Sequence, residues 1–181
     1  MKIKLLLISI CYLVLSGCSI VAPSYQAQVE NVNLLKVVKK DVDVNTVKVD
    51  KKKNSISLRG TKLVSPYEES YGRYIETAIT EELKKAQLHN PLSPRKLKAT
   101  IVENDIDATG ISTGEGIISV EFVIQEDGKS LFKKTITANS SWESSFMGAI
   151  AIQNAQMSYP KLVQQLLENL YKDQDFISSL Q

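Results

Sequence analysis

Cysteine and histidine are scarce in this chain of 181 residues: two cysteines, Cys11 and Cys18, and one histidine, His89. That excludes the common soft-ligand metal centres, which need several Cys or His side chains. It also removes the bases that a nucleophile requires. The run Ser140-Ser141-Trp142-Glu143-Ser144-Ser145 offers hydroxyls, but a serine nucleophile needs a general base beside it. His89, just before Asn90-Pro91, reads as a capping or solvent-exposed residue. An excess of positive charge is lacking too. With 22 Lys+Arg against 20 Asp+Glu, the net charge is +2 and no basic footprint for nucleic acid exists. The remaining acids offered for catalysis, Glu103, Asp105, Asp107 and Glu143, fall at predicted strand ends with no partner arrangement.

The glycine and acidic motifs are incomplete. Asp105-Ile106-Asp107-Ala108-Thr109-Gly110 begins like a calcium loop, yet its twelfth position is Gly116 instead of a bidentate Glu. Gly110, Gly114 and Gly116 lack the Lys-Ser/Thr ending of a phosphate cradle and open no helix, so they read as a flexible hairpin loop. We therefore expect no metal, no cofactor and no enzyme.

Long apolar runs are also few. The longest follows Lys2 and Lys4 and runs from Leu5 to Leu15, the length of a secretory core and too short to span a bilayer. It ends on Leu15-Ser16-Gly17-Cys18, which resembles the lipobox of bacterial lipoproteins. The resemblance implies that residues 1–17 are removed and that Cys18 carries acyl chains. Two or three such chains anchor far more firmly than one, at about 0.8 kcal/mol per buried methylene. It also implies an outer-membrane destination, because Ser19 and not Asp follows the cysteine. Without Lys2 and Lys4 the mature chain holds 20 basic against 20 acidic residues.

Residues 18–30 show no periodicity and read as the lipidated cysteine and a tether; residues 31–181 read as a single domain. Val42, Val44, Val47 and Val49 are strand-like, and Ser55 to Arg59 alternates cleanly up to Gly60. From Ser65-Pro66 a helix is expected, with Tyr71, Tyr74, Ile75, Ala78, Ile79, Leu83 and Ala86 on one stripe. Glu68 and Glu69 near its start and Lys84 and Lys85 near its end suit the helix dipole. Three strands follow, Lys96 to Ala108, Ile117 to Gln125 and Ser130 to about Trp142; Asp127-Gly128 supplies a tight hairpin between the last two. Tyr159, Leu162, Val163, Leu166, Leu167, Leu170 and Tyr171 make a second helical stripe. Pro160 is either its first residue or an interior residue of a helix starting near Ile152. Asp173 to Gln181 reads as a weak tail. The order predicts an α+β two-layer sandwich, an antiparallel sheet of four to five strands covered by two helices.

With the strand before "RGTKLVSPY", the helix "YGRYIETAITEELKKA" and the ending "DQDFISSL", the chain resembles small envelope lipoproteins of the YajG type. More distantly it resembles the auxiliary lipoproteins of ABC-type lipid transporters. The resemblance implies no catalytic residues. One connecting stretch, Phe146 to Ile152, is unexpectedly apolar. Phe146, Met147 and Ile150, with Trp142 nearby, are therefore the candidate partner surface. The function expected is that of a lipid-anchored, non-enzymatic accessory, assembly or docking subunit of an envelope complex, facing the periplasm. It would meet the membrane through Cys18 and an envelope protein through its surface. The alternative is a periplasmic carrier of lipid or a small ligand.

Overall fold

The computed structural model describes residues 19–181; the expected signal peptide and Cys18 lie outside the described residues. The elements are β1 (Ser19–Val21), α1 (Val29–Leu34) with a 3-10 turn over Leu35–Val37, β2 (Asp43–Val44), β3 (Ile56–Leu58), β4 (Thr61–Val64) and α2 (Tyr71–Lys85). Then come β5 (Arg95–Asp107), β6 (Thr113–Glu126), β7 (Lys129–Glu143), α3 (Gly148–Lys172) and α4 (Gln174–Ser179). The fold class is the expected α+β sandwich.

The main sheet has the order β2-β5-β6-β7. Its three long strands form an antiparallel meander, and Asp127 (φ 50°) with Gly128 (φ 79°) makes the expected tight hairpin. Alternation fixes which face is dry. Leu97, Ala99 and Ile101 of β5, Ile118, Val120, Phe122 and Ile124 of β6, and Phe132, Ile136 and Ala138 of β7 are buried beneath the helices. The buried stripes of α2 and α3, including Ile75, Ile79, Leu166 and Leu167, close that layer.

Several expectations need correction. The sheet is mixed, not wholly antiparallel, because β2 joins β5 in parallel. The Val42–Val49 stretch does follow this edge, but irregularly, through isolated bridges of Val42 with His89 and Lys48 with Thr100. A second sheet of order β1-β4-β3 was not foreseen. The tether expected over 18–30 is, from Ser19 onward, part of the domain. β1 lies parallel to β4 in the register Ser19↔Lys62, Ile20↔Leu63 and Val21↔Val64, and Ala22 and Tyr25 are buried.

α2 starts at Tyr71, not near Pro66. Glu68 and Glu69 have positive φ (54° and 52°) and so lie in a turn, and the Ser70 hydroxyl caps the helix by accepting from the Arg73 amide. Pro160 lies inside α3, where it leaves the carbonyl of Gln156 without its usual amide donor. The tail is folded as well. Asp173 caps α4 by accepting from the amides of Asp175 and Phe176, and Phe176 and Leu180 are fully buried. No helix among the described residues is long and apolar enough to cross a membrane.

Candidate functional site

The turn between β3 and β4 consists of Arg59 (φ 48°) and Gly60 (φ 89°), a two-residue loop with both residues left-handed. This geometry throws the Arg59 side chain across the end of the main sheet where β5 ends and β6 begins. There its guanidinium meets five main-chain carbonyls. Nε donates to Ala108 at 2.6 Å, Nη2 faces Gly110 at 3.0 Å, Ser145 at 3.1 Å and Thr109 at 3.3 Å, and Nη1 donates to Phe146 at 3.3 Å. A planar fork of fixed donors suits such a set better than a point charge would. The Ser144 amide also donates to the Ser112 carbonyl at 2.8 Å. The loop 108–112 and the connector 144–147 are thus held together at one end of the molecule.

Beside these fixed backbones, large apolar side chains of the loop, the connector and the first turn of α3 are exposed. Phe146 is 81% exposed, Ile111 69%, Met147 62% and Ile150 42%. Phe146, Met147 and Ile150 of the predicted surface therefore lie together, and Ile111 from the neighbouring loop joins them. Trp142 does not. It is half-buried on the helix-facing side of β7, opposite Gly114, with its indole over Gly114 and Gly116 and its ring nitrogen buried without an acceptor. Gly114 and Gly116 are accordingly strand residues of β6, not hairpin-loop residues: a Cβ on Gly114 would collide with the indole, and one on Gly116 would press on Leu162 and the indole.

The acidic residues weighed for chemistry stand elsewhere. Asp105, Asp107 and Glu115 line an open groove of about 480 Å³ on the uncovered face of the sheet, together with Asn139 and Ser141. Asp107 is engaged locally: its carboxylate accepts from the Thr109 hydroxyl at 2.6 Å and the Thr109 amide at 2.7 Å, which holds its pKa below the usual range. Among the described residues no group of three or more His, Cys, Asp and Glu side chains is gathered for a metal.

A buried carboxylate escaped the sequence reading. Glu82 of α2 is fully buried and accepts from the Tyr25 hydroxyl at 2.5 Å, the Gln28 amide at 3.2 Å and the Asn31 side chain at 3.2 Å. The Tyr171 hydroxyl lies against the same carboxyl without closing a hydrogen bond of good geometry. Burial raises the Glu82 pKa, and the hydrogen bonds from Tyr25, Gln28 and Asn31 oppose that rise. Burial, followed by the Glu82 charge, also raises the Tyr25 phenol, keeping it a neutral donor. No cation is among its partners, so the cluster joins elements and offers no route for a substrate. Its signal was present: Glu82 falls four residues after Ala78 and three after Ile79, on the apolar stripe itself.

A layer of tyrosines continues this junction. Tyr159 packs against Tyr71 and Tyr74 with ring centroids 4.9 and 5.1 Å apart. Their hydroxyls donate to carbonyls of the N-terminal sheet and of the segment behind β1, Tyr71 to Leu63 and Tyr74 to Pro23, each at 2.9 Å. The N-terminal segment is thereby bound to α2 and α3.

No family model and no curated protein matches the chain. Solved structures do. A Xanthomonas campestris protein of the DUF330 family aligns over 82% of this chain and 90% of its own, with TM-score 0.56 and 12% identity. A candidate lipoprotein from Caulobacter crescentus aligns over 83% and 95%, with TM-score 0.50 and 13% identity. A minor lipoprotein from Acinetobacter baumannii aligns over 76% and 92%, with TM-score 0.44 and 12% identity. At the first two levels of similarity the likeness is one of fold.

Proposed function

We propose that this protein is a bacterial envelope lipoprotein, anchored by acyl chains on Cys18 and acting without catalysis as an accessory or docking subunit of an envelope complex. The observation that carries the reading is positional. Ser19 pairs with Lys62 in β1–β4, and Lys62 is only a few residues from the Arg59 turn and the exposed apolar surface beside it. Ser19, the residue that follows the cysteine the lipobox would acylate, thus stands at the end of the domain that bears Phe146 and Met147. The fold shared with the Caulobacter crescentus candidate lipoprotein supports this reading. Ser19 after the cysteine favours the outer membrane, with the domain in the periplasm. The YajG-type resemblance belongs to the same reading.

The carrier alternative needs an enclosed apolar chamber. The described clefts are open and lined in large part by polar side chains, such as the groove at Asp105 and Asp107 and another at Asn45, Thr46 and Gln125. Docking is the better supported role.

Labelled palmitate in the native host tests the anchor: the wild type should carry label and separate with outer membranes, and Cys18→Ala should do neither. Equal labelling of both would remove the anchor. Crosslinking followed by purification from detergent tests the docking role. Repeated recovery of the protein alone would remove it.

A further inference from the structure

We infer that Ile111, Phe146, Met147 and Ile150 form a membrane-contact surface, pressed against the same leaflet that receives the acyl chains of Cys18. This rests on the lipid-anchored reading above and adds an orientation to it. A long flexible tether would leave orientation open, but the structure allows none between residue 18 and the domain. Ser19 already pairs with Lys62 in β1–β4, and Ala22 and Tyr25 are buried. Cys18 is one Cα step of about 3.8 Å from Ser19. Lys62 is three positions from Arg59 across the tight turn, at most about 10 Å away. Arg59 in turn touches the Phe146 carbonyl. An acylated Cys18 thus brings this end of the domain down onto the bilayer, and the side chains that meet it there are a phenylalanine, a methionine and two isoleucines.

The chemistry of the surroundings agrees. Large apolar side chains on a fixed backbone, next to a lysine that can reach headgroups, are what an interfacial contact uses. Lys62 is exposed beside Ser19. Of the acids of this region, Asp107 and Glu115 line the open groove of the sheet, and exposed Glu143 ends β7 three residues before Phe146, at the edge of the patch. Arg59 donates to five carbonyls of the contact loops, so these acceptors are satisfied beside the apolar side chains. A partner protein would then meet the remainder of the molecule, not this end.

The test uses the full lipidated protein. Cys11 would leave with the signal peptide and the Cys18 thiol is consumed, so Phe146→Cys introduces a unique site for a polarity-sensitive fluorophore; Leu92→Cys supplies the comparison. Leu92 is 90% exposed and precedes the opposite end of β5, about 40 Å away along the strand. Both labelled proteins are reconstituted in phosphatidylethanolamine–phosphatidylglycerol vesicles whose acyl chains carry bromine. The probe at 146 should shift to the blue and be quenched several-fold more than the probe at 92. Vesicle flotation with equal, solvent-like emission at both positions would overturn the contact surface and leave the anchor standing. Protein that fails to float would overturn the anchor and this orientation with it. A probe at 146 that brominated lipid does not quench, yet that native membranes shield, would overturn the inference in favour of a protein occupant.

Discussion

The Tyr25 hydroxyl and the Glu82 carboxylate stand 2.5 Å apart, joining the segment behind β1 to the last turn of α2. The contact has a thermodynamic sign. Burial raises the folded pKa of Glu82 above its ordinary value of 4.5. The folded state therefore binds the proton more tightly than the unfolded chain does. The stabilisation is complete below 4.5 and is lost as pH rises through the folded value. Each unit of difference is worth about 1.4 kcal/mol.

Glu82→Gln keeps an acceptor for Tyr25 and adds a donor toward Tyr171. We expect this variant to be at least as stable as the wild type at neutral pH and to lose the decline above 4.5. Urea midpoints measured across the pH range check this. A wild-type midpoint that climbs over that interval would contradict the direction.

Arg59 is expected to matter through its shape as much as its charge. Arg59→Ala removes charged donors to five carbonyls and should cost on the order of 2–4 kcal/mol. Arg59→Lys should recover less than half of that, because an ammonium cannot reproduce the fork. Amide exchange at Gly110–Ser112 and Ser145–Met147 should accelerate in both variants. Unchanged exchange there would mean that the two segments are held by something else.

What was legible in the sequence follows from how local each cause is. The stripes of α2 and α3 and the Asp127-Gly128 hairpin arise from periodicity and turn chemistry a few residues long, and the structure has them. β1 and α1 do not arise that way. Three residues at Ser19–Val21 carry no pattern, and they are strand only because β4 offers an edge. The tail folds because Phe176 finds the Phe132 and Tyr171 rings, at 5.7 and 5.8 Å. In the site, Phe146, Met147 and Ile150 were readable as apolar residues in a connector. Ile111 was not, since its loop is brought to theirs by the Arg59 contacts and the Ser144–Ser112 main-chain bond, which no local pattern announces. Main-chain carbonyl acceptors are common to every residue type, so no sequence motif marks that junction.

Leu166 lies in the C-terminal half of α3 and is fully buried. Leu166→Ala removes a side chain that surrounding elements cannot replace without moving, a change that typically costs about 2–5 kcal/mol. At about 2–4 °C per kcal/mol for a domain of this size, the melting temperature should fall by roughly 4–20 °C. Calorimetry decides it, and a shift within error would show that α3 packs more loosely than its burial implies.

Phe146→Asp makes the opposite expectation. At 81% exposure the ring has little to lose on folding, so the variant should melt within a degree or two of the wild type. Circular dichroism through the thermal transition is sufficient. Outright unfolding would place the ring in the core and withdraw it from any contact surface.

Gly114 and Trp142 allow the sharpest test of packing, because Trp142 is the sole tryptophan. The two residues face each other across β6 and β7, and the indole occupies the space that a side chain at 114 would need. A Cβ on Gly114 would lie 2.5 Å from the ring nitrogen and 2.7 Å from the adjacent ring carbon, closer than any tolerated contact. Gly114→Ala must therefore turn the indole toward solvent or shift the strands, and overpacking of this kind typically costs about 1–3 kcal/mol. Tryptophan emission should move to the red and become more accessible to an aqueous quencher. Gly128→Ala provides the comparison, since nothing lies within 4 Å of its Cβ and its cost comes from a φ of 79° alone. That variant should lose stability with emission unchanged. A red shift in Gly128→Ala, or none in Gly114→Ala, would show that the glycine at 114 is not what seats the ring.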